Sequence, residues 1–258
     1  MIALTKYKAR GFILSFRDYG ESDRIVTILT DTSGKLKGIA KGARRSVKRF
    51  ANAIEPFSLS SILFSRRRPE GLFLIEDCRV ISHYAGIRED LEKTLIASYF
   101  IDLADHFSGE GAPSRSLFYH LRDFLDLLER GPVSESILRL FELRLLCLSG
   151  YEPALEQCIG CRRPLESLGS FSFNLDDGGI RCDHCAPITA DRLSLSAGTA
   201  KTLIAGKTIS AEKIRRLAFT ENSLRESRLL LLPMIRHILG KEPKSLKVLM
   251  EVKRMTRF

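Results

Sequence analysis

Four cysteines stand in two CxxC pairs within the segment CIGCRRPLESLGSFSFNLDDGGIRCDHC. A stretch of 20 residues separates the two pairs, which are Cys158, Cys161, Cys182 and Cys185. Each CxxC turn presents two sulfurs to one ion, so this spacing is typical of a tetrahedral Zn²⁺ site. The residues between the pairs, SFSFNLDDGGIRC, predict a β-hairpin that turns at the DDGG sequence.

A set of four cysteines favours a structural ion over a catalytic one. Four thiolates leave no open position for water, and none of the five histidines has a Glu two positions later, as a zinc deaminase would require. Iron in a rubredoxin-like site is an alternative to zinc, and four reduced cysteines without metal are another. Cys78 and Cys147 lie in apolar sequence and are predicted to be small core residues.

A second group of chemically active residues is the basic segment KLKGIAKGARRSVKR, residues 35–49, which has seven Lys or Arg and no acidic residue. Taken alone, such a run is more often a hydrated loop than a grip for a polyanion. Its context is unusual, because residues 1–82 hold 16 basic and 8 acidic side chains, so that +8 of the net +10 lies in the first third. This balance favours anionic partners such as nucleic acid or acidic lipid.

The elements that must position these residues change character along the chain. The first 82 residues contain five short apolar segments separated by Gly, Asp and Ser, and they predict strands: KARGFILSF, DRIVTILT, KLKGIAKG, FSLSSILFS and GLFLIEDCRVIS. Closure into a small barrel would remove the exposed edges of such a sheet. The predicted fold class is therefore multidomain α+β, with an N-terminal five-stranded OB-fold β-barrel, an α-helical body and an inserted four-cysteine zinc module.

Helical spacing of apolar residues begins near residue 86. Six segments predict helices: LEKTLIASYFIDLADHF, SLFYHLRDFLDLLERG, SESILRLFELRLLCLSG, SLSAGTAKTLIAG, SAEKIRRLAF and ENSLRESRLLLLPMIRHILG. The expected domains are the barrel over 1–82, the first part of the helical domain over 83–155, the zinc module over 156–186, and the second part of the helical domain over 187–258.

Motifs of common enzyme classes are incomplete in this sequence. The GKT at residues 206–208 lacks the Gly that a phosphate-binding loop needs at position 201, which is Lys, and GxGxxG and GxSxG motifs are absent. We therefore predict a protein that is not an enzyme. A secretory signal is not apparent, and apolar runs are shorter than the roughly 18 residues of a membrane span, so we expect a cytoplasmic protein without membrane contact.

Three stretches resemble the RecO family of bacterial recombination mediators, in its zinc-containing type: GFILSFRDYGESDRIVTILTDTSGKLKGIAKGARRS, FELRLLCLSGYEPALEQCIGC and HILGKEPKSLKVL. The resemblance implies a nucleoid-associated protein of recombinational repair that binds single- and double-stranded DNA and anneals complementary strands. It also implies cooperation with RecR in loading RecA on DNA covered by single-strand-binding protein, contact of the helical body with the C-terminal tail of that protein, and a functional link to RecF.

In a barrel of this family the basic segment would form a strand and the loop that leaves it. We therefore predict DNA contacts at Lys35, Lys37, Lys41, Arg44, Arg45, Lys48, Arg49, Arg66, Arg67 and Arg68. Gly38 and Gly42 are expected to let a phosphate backbone approach closely. Tyr19 and Phe50 are candidates either for base stacking or for barrel core, whereas Phe57 is assigned to the core.

Two alternatives to a DNA mediator follow from the same features. The first is a zinc-stabilised RNA-binding or ribosome-associated protein built on the same barrel, which would use the 2′-hydroxyl of its ligand. The second is a nuclease or nucleotidyl transferase, which would need a cluster of carboxylates to bind magnesium; no such cluster stands at a persuasive spacing.

Overall fold

The computed structural model describes residues 5–46, 48–66, 71–110, 114–186 and 192–255. The chain forms two compact units, one of Met1–Gly131 with Pro243–Phe258 and the other of Pro132–Glu242. These units follow spatial contacts, whereas the domains expected above follow changes in sequence pattern and stay a prediction. Among the described residues we find no helix that combines the length and apolar character needed to cross a bilayer.

The described secondary structure begins with five strands and is mostly helical after them. The strands are β1 (Lys6–Tyr19), β2 (Asp23–Thr30), β3 (Gly34–Ala40), β4 (Leu59–Ser65), β5 (Phe73–Ser82), β6 (Phe171–Asn174), β7 (Gly179–Cys182) and β8 (Arg192–Ser194). The helices are α1 (Ala85–Arg88), α2 (Leu91–Phe107), α3 (Arg115–Arg130), α4 (Glu135–Leu148), α5 (Ala197–Thr208), α6 (Glu221–Leu239) and α7 (Lys244–Met255).

The first five strands close into a barrel in the order β1-β2-β3-β5-β4, with β4 returning to β1. Neighbouring strands are antiparallel except β3 and β5, which run parallel where Gly38 lies beside Phe73. The five predicted strands and the OB-fold barrel are thereby confirmed.

Alternation along the strands separates the barrel core from its outer face. In β3, Leu36 and Ala40 belong to the core, and the intervening side chain of Lys37 is exposed. The connection between β3 and β4 also contributes to the core through Phe50, Ala53 and Ile54, all nearly inaccessible to solvent. The basic connection is thus anchored by its own apolar residues.

Helices of the first unit pack on the outside of the barrel. Phe12 of β1 is fully buried, and its ring centroid lies 5.2 Å from that of Phe118 in α3. Helix α7 joins the same unit, since Asp102 of α2 accepts hydrogen bonds from the backbone N–H and the hydroxyl of Ser245. Helix α7 was not among the helices predicted from the sequence pattern, and two of its residues, Leu246 and Leu249, are buried.

The second unit contains α4, α5 and α6 together with a three-stranded sheet in the order β7-β6-β8. The β6–β7 hairpin confirms the predicted turn between the cysteine pairs. The helix predicted over SAEKIRRLAF is wrong: the chain forms a 3₁₀ helix at Ala211–Arg216 instead. Only Ile214 is buried there, so the segment lacks the apolar stripe that would stabilise a longer α-helix.

Candidate metal centre and nucleic-acid interface

The two cysteine pairs meet where the loop after α4 packs against the hairpin. The N–H of Ile159 donates to the carbonyl of Ile180 at 2.9 Å, which places the first CxxC turn beside β7. Cys182 ends β7, and the N–H of Cys185 donates to the carbonyl of Cys182 at 2.9 Å in the second turn. Backbone pairing therefore brings together residues that are distant in sequence.

The sulfur geometry fits a four-coordinate metal ion. The four Sγ atoms of Cys158, Cys161, Cys182 and Cys185 all lie within 4.8 Å of one another. Cys182 Sγ is 3.8 Å from Cys158 Sγ and 3.7 Å from Cys161 Sγ. Tetrahedral zinc with Zn–S bonds of about 2.3 Å requires sulfurs about 3.8 Å apart, whereas a disulfide requires about 2.05 Å. The cluster matches the metal-binding distance.

Glycine is required inside the first CxxC turn. A Cβ added to Gly160 would lie 2.8 Å from the Cβ and 2.9 Å from the Sγ of Cys185. Any larger residue would push the two turns apart, so the close approach of the turns depends on this position.

Hydrogen-bond donors around the cluster favour the thiolate form of two of its cysteines, Cys161 and Cys158. Arg163 donates to Cys161 Sγ at 3.4 Å and to Cys182 Sγ at 3.6 Å, and its hydrogen bond lowers the pKa of Cys161 to about 6. Burial would raise the pKa of Cys158, but hydrogen bonds from the backbone N–H groups of Cys161 and Cys182 outweigh it and lower that pKa. The hydrogen bond with Cys182 raises the pKa of Cys185 to about 12. Four thiolates this close therefore need a cation to coexist.

The basic connection after β3 is held against the turn between β1 and β2. The N–H of Gly42 donates to Asp23 Oδ1 at 2.8 Å, and this bond lowers the pKa of Asp23 below its usual range. The N–H of Arg44 donates to the carbonyl of Ser22 at 3.0 Å. Gly42 adopts φ = 67°, a left-handed conformation suited to glycine. The first residues of the connection are therefore held in place by the turn between β1 and β2.

Five of the predicted DNA-contact residues lie exposed on this connection: Lys41, Arg44, Arg45, Lys48 and Arg49. Two of them also hold the backbone, since Arg49 donates to the carbonyl of Lys41 at 2.9 Å and Arg44 donates to the carbonyl of Glu21 at 3.2 Å. Arg45 is 73% exposed and lies 3.6 Å from the almost fully exposed carboxylate of Glu21. We call the group of five the loop cations.

Lys35 and Lys37 lie on β3 and each forms an ion pair with an acidic residue. Lys35 Nζ lies 3.1 Å from Asp105 Oδ1 and donates to the carbonyl of Asp105 at 2.6 Å, and its side chain is only 13% exposed. Lys37 Nζ lies 2.5 Å from the carboxylate of Glu110 and lowers its pKa. Both lysines are thus already paired with acidic residues.

Arg66 lies at the same end of the barrel as Lys37. Its guanidinium is 4.7 Å from the ring centroid of Phe73, and the residues around it line a cavity of about 460 Å³. Arg67 and Arg68 lie outside the described residues.

The structure supports some of the roles predicted for the glycine and aromatic residues of the barrel and contradicts others. A Cβ on Gly38 would lie 2.5 Å from Ile75 Cδ1, so this glycine permits close packing of strands inside the barrel, and its expected role in phosphate approach is wrong. Phe50 and Phe57 are buried, which confirms Phe57 as core and removes Phe50 as a stacking candidate. Tyr19 is 57% exposed and stays available for stacking.

Other predicted features can be placed as well. Cys78 is buried as predicted, and burial raises its pKa to about 12, whereas Cys147 is only half-buried. Lys207 of the incomplete GKT motif lies in α5, where it pairs with Glu152 and Glu156.

Two functional neighbours were missed from the sequence. Arg163 follows the first CxxC pair closely, and that adjacency was the available sign. Nothing in the sequence pointed to Asp23, because its partner Gly42 lies 19 residues away and is brought near only by the barrel.

Comparison with known proteins gives consistent matches over almost the whole chain. The family "Recombination protein O N terminal" matches residues 1–84, and "Recombination protein O C terminal" matches residues 88–247. The DNA repair protein RecO of Syntrophus aciditrophicus (strain SB) is 50% identical over 251 residues, covering 96% of this chain and 97% of that protein.

More distant relatives carry the same name. The DNA repair protein RecO of Syntrophobacter fumaroxidans (strain DSM 10017 / MPOB) is 36% identical over 246 residues, 95% of this chain and 97% of that protein. The corresponding protein of Anaeromyxobacter sp. (strain K) is 37% identical over 201 residues, 78% of this chain and 79% of that protein.

Proposed function

The chain belongs to the RecO family of DNA repair proteins, and from this premise we propose that its barrel binds single- and double-stranded DNA without sequence preference. The observation that carries the proposal is the group of loop cations, which are all exposed on an OB-fold barrel and begin beside the Asp23–Gly42 hydrogen bond. Contacts to phosphates release condensed counterions and read no base, so such binding is independent of sequence and weakens with salt.

Strand annealing is the activity that this surface supports best. Two sugar-phosphate chains that lie on one cationic surface repel each other less, while their bases stay free to pair. The exposed ring of Tyr19 at the end of β1 offers a place to stack one base beside the loop cations. DNA would have to displace Asp105 and Glu110 from Lys35 and Lys37, just as it would have to displace Asp18 and Glu21 from Arg44 and Arg45.

In the proposed role the protein acts with partners and not as an enzyme. With RecR it would help RecA load on single-stranded DNA covered by single-strand-binding protein, with a functional link to RecF, in the cytoplasm at the nucleoid. The helical body would dock the acidic tail of single-strand-binding protein. Support for that step comes from the exposed Arg215 and Arg216, which end the 3₁₀ helix of the second unit.

The metal in this proposal is a structural Zn²⁺ held by the four cysteines. All four ligand positions come from the protein, so the ion would supply folding energy to the hairpin and leave no position for substrate. Arg163 would offset part of the negative charge of the thiolates.

The test is an annealing assay on complementary oligonucleotides coated with single-strand-binding protein, repeated over a salt series. The variant R45E/K48E changes two loop cations whose side chains donate no hydrogen bond to the backbone among the described residues, so the fold should persist. Loss of two single-strand contacts should make the slope of log affinity against log salt less steep by about 1.4.

A matched control is K241E/K247E, which makes the same charge change at two exposed positions that belong to neither the barrel strands nor their connections. We expect the control to bind and anneal nearly as the unmodified protein does. Equal slopes and equal annealing in both variants would refute the proposed surface. Preference for RNA over DNA of the same sequence in competition would point to the RNA-binding alternative instead.

A further inference from the structure

We propose that a cavity in the second unit binds a lysine or arginine side chain of a partner protein. The cavity has a volume of about 540 Å³, within the usual range of ligand sites. Its walls come from the residues after α4, the turn of the β6–β7 hairpin, and the last turns of α6. The proposal goes beyond the DNA-binding role and does not depend on it.

The interior of the cavity suits an aliphatic stem. Ala154, Leu175, Met234 and Ile238 contribute apolar surface to its lining. A lysine or arginine side chain carries three or four methylene groups before its charged end, and such stems pack favourably on apolar surface. An isolated small ion would gain nothing from these walls.

The rim of the cavity carries the opposite charge. Glu152, Asp176 and Asp177 all line it. Glu152 is paired with Lys207 at 2.7 Å and Asp177 with Arg181 at 2.8 Å, whereas Asp176 is exposed and has no ion pair among the described residues. The carboxylate of Asp176 is therefore the group best placed to pair with an incoming cation.

Two helix ends add to this negative potential. Helix α4 ends at Leu148, directly before lining residues Gly150 and Tyr151, and α6 ends at Leu239, directly after lining residue Ile238. The carboxyl end of a helix carries a partial negative charge that favours cations within the last turn. Tyr151 adds an aromatic side chain, which also attracts guanidinium and ammonium groups.

The charge of the lining selects against an acidic ligand. A carboxylate entering the cavity would meet the unpaired carboxylate of Asp176 and two helix carboxyl ends, whereas Glu152 and Asp177 are already paired with Lys207 and Arg181. The cavity is therefore distinct from the arginines that we propose for the acidic tail. A basic segment of a protein is the occupant that matches both the walls and the rim.

The experiment is a methyl NMR titration of the full metal-loaded chain, which reports on the side chains of Met234 and Ile238 directly. The probes are N-acetyl-arginine amide, N-acetyl-norleucine amide and N-acetyl-glutamate amide. We expect saturable shifts of these two methyl groups with the arginine probe, weaker shifts with norleucine, and none with glutamate. Methyl groups in the barrel should not move.

The variant Asp176→Asn removes the unpaired carboxylate and should weaken arginine binding by about two- to fivefold, the value of an exposed ion pair. The control Glu166→Gln neutralises an exposed acid of the same module outside the cavity and should leave binding unchanged. Equal affinity for arginine and norleucine probes, absence of shifts, or equal effects of both variants would overturn the proposal. Saturation by spermidine at lower concentration than by arginine would assign the cavity to free polyamines instead of a protein.

Discussion

Asp23 Oδ1 accepts the backbone N–H of Gly42 at 2.8 Å, and this bond joins the start of β2 to the beginning of the basic connection. Gly42 follows Lys41 directly and lies two residues before Arg44. Because the hydrogen bond holds the backbone at Gly42, it also restricts the backbone of the loop cations next to it. Asp23, an acidic residue, thus stabilises the backbone on which the loop cations are carried.

Replacing Asp23 by Ala should release this backbone, with Asp23→Asn as the matched control. Both variants remove one negative charge, but only asparagine keeps a side-chain oxygen that can accept from Gly42. We expect hydrogen exchange at the Gly42 amide to rise about two- to tenfold in the alanine variant, as for the loss of one net hydrogen bond. Similar protection in both variants would show that the bond does not hold the loop.

The same bond predicts a pH dependence. The hydrogen bond from Gly42 lowers the pKa of Asp23 below its ordinary 3.8, so the unfolded chain binds the proton more tightly than the folded chain. The contribution of Asp23 to stability is therefore complete above pH 3.8 and is lost as the pH falls through its folded pKa. NMR titration of its carboxyl carbon should show a midpoint below 3.8, and a midpoint above that value would contradict the prediction.

Local sequence pattern predicted much of the fold because each element there carries a complete signal. All five barrel strands show apolar runs bounded by turn residues, and the segment LEKTLIASYFIDLADHF coincides with α2 over Leu91–Phe107. Helix α7 was missed although Leu246, Leu249 and Met250 follow helical spacing, because the apolar pattern is short and the helix has only 12 residues. The segment at Ala211–Arg216 forms a 3₁₀ helix, because helix-forming residues with a single buried side chain, Ile214, do not stabilise a longer α-helix.

The sites divide in the same way. The cysteine cluster was predictable because CxxC spacing is a local sequence pattern and the four cysteines alone make up the metal-binding group. The cationic surface was predictable only as a composition: Lys35 and the loop cations belong to one sequence run, yet Lys35 pairs with Asp105, 70 residues away. Gly38 was misread for a similar reason, because its neighbour Ile75 is visible only once β3 lies beside β5.

Replacement of Glu226, a buried acidic residue of the second unit, should destabilise the fold. Its buried carboxylate accepts from the backbone N–H of Ser196 at 3.0 Å and from the hydroxyl of Ser196 at 2.7 Å, and it also accepts from Thr199, at the start of α5. An amide replaces one acceptor oxygen by a donor, so Glu226→Gln should lower the free energy of unfolding by about 1–3 kcal/mol.

Urea unfolding at constant pH measures this effect, with Glu166→Gln as an exposed control expected to change little. Burial would raise the pKa of Glu226, but its hydrogen bonds from Thr199 and Ser196 outweigh burial and lower that pKa. The loss caused by Glu226→Gln should therefore shrink as the pH falls through the folded pKa of Glu226. An equal loss at all acidic pH values would indicate a packing defect instead.

Removal of the metal should unfold the cysteine module while DNA binding by the barrel persists. We expect one equivalent of zinc per chain, lost in Cys158→Ser and retained in Cys147→Ser, which alters a cysteine outside the cluster. Zinc binding contributes about 10–16 kcal/mol in structural peptide sites, far more than a small hairpin could otherwise supply, so chelation should abolish the ordered β6–β7 pairing.

Metal analysis with circular dichroism and oligonucleotide binding on the same samples separates the possible outcomes. Because the thiols must lose their protons to bind zinc, the metal should also dissociate as the pH falls. Retention of one equivalent in Cys158→Ser would exclude the four-cysteine site. The loop cations are not ligands of the metal. Loss of DNA binding together with the metal would therefore show that DNA binding by the barrel depends on the cysteine module.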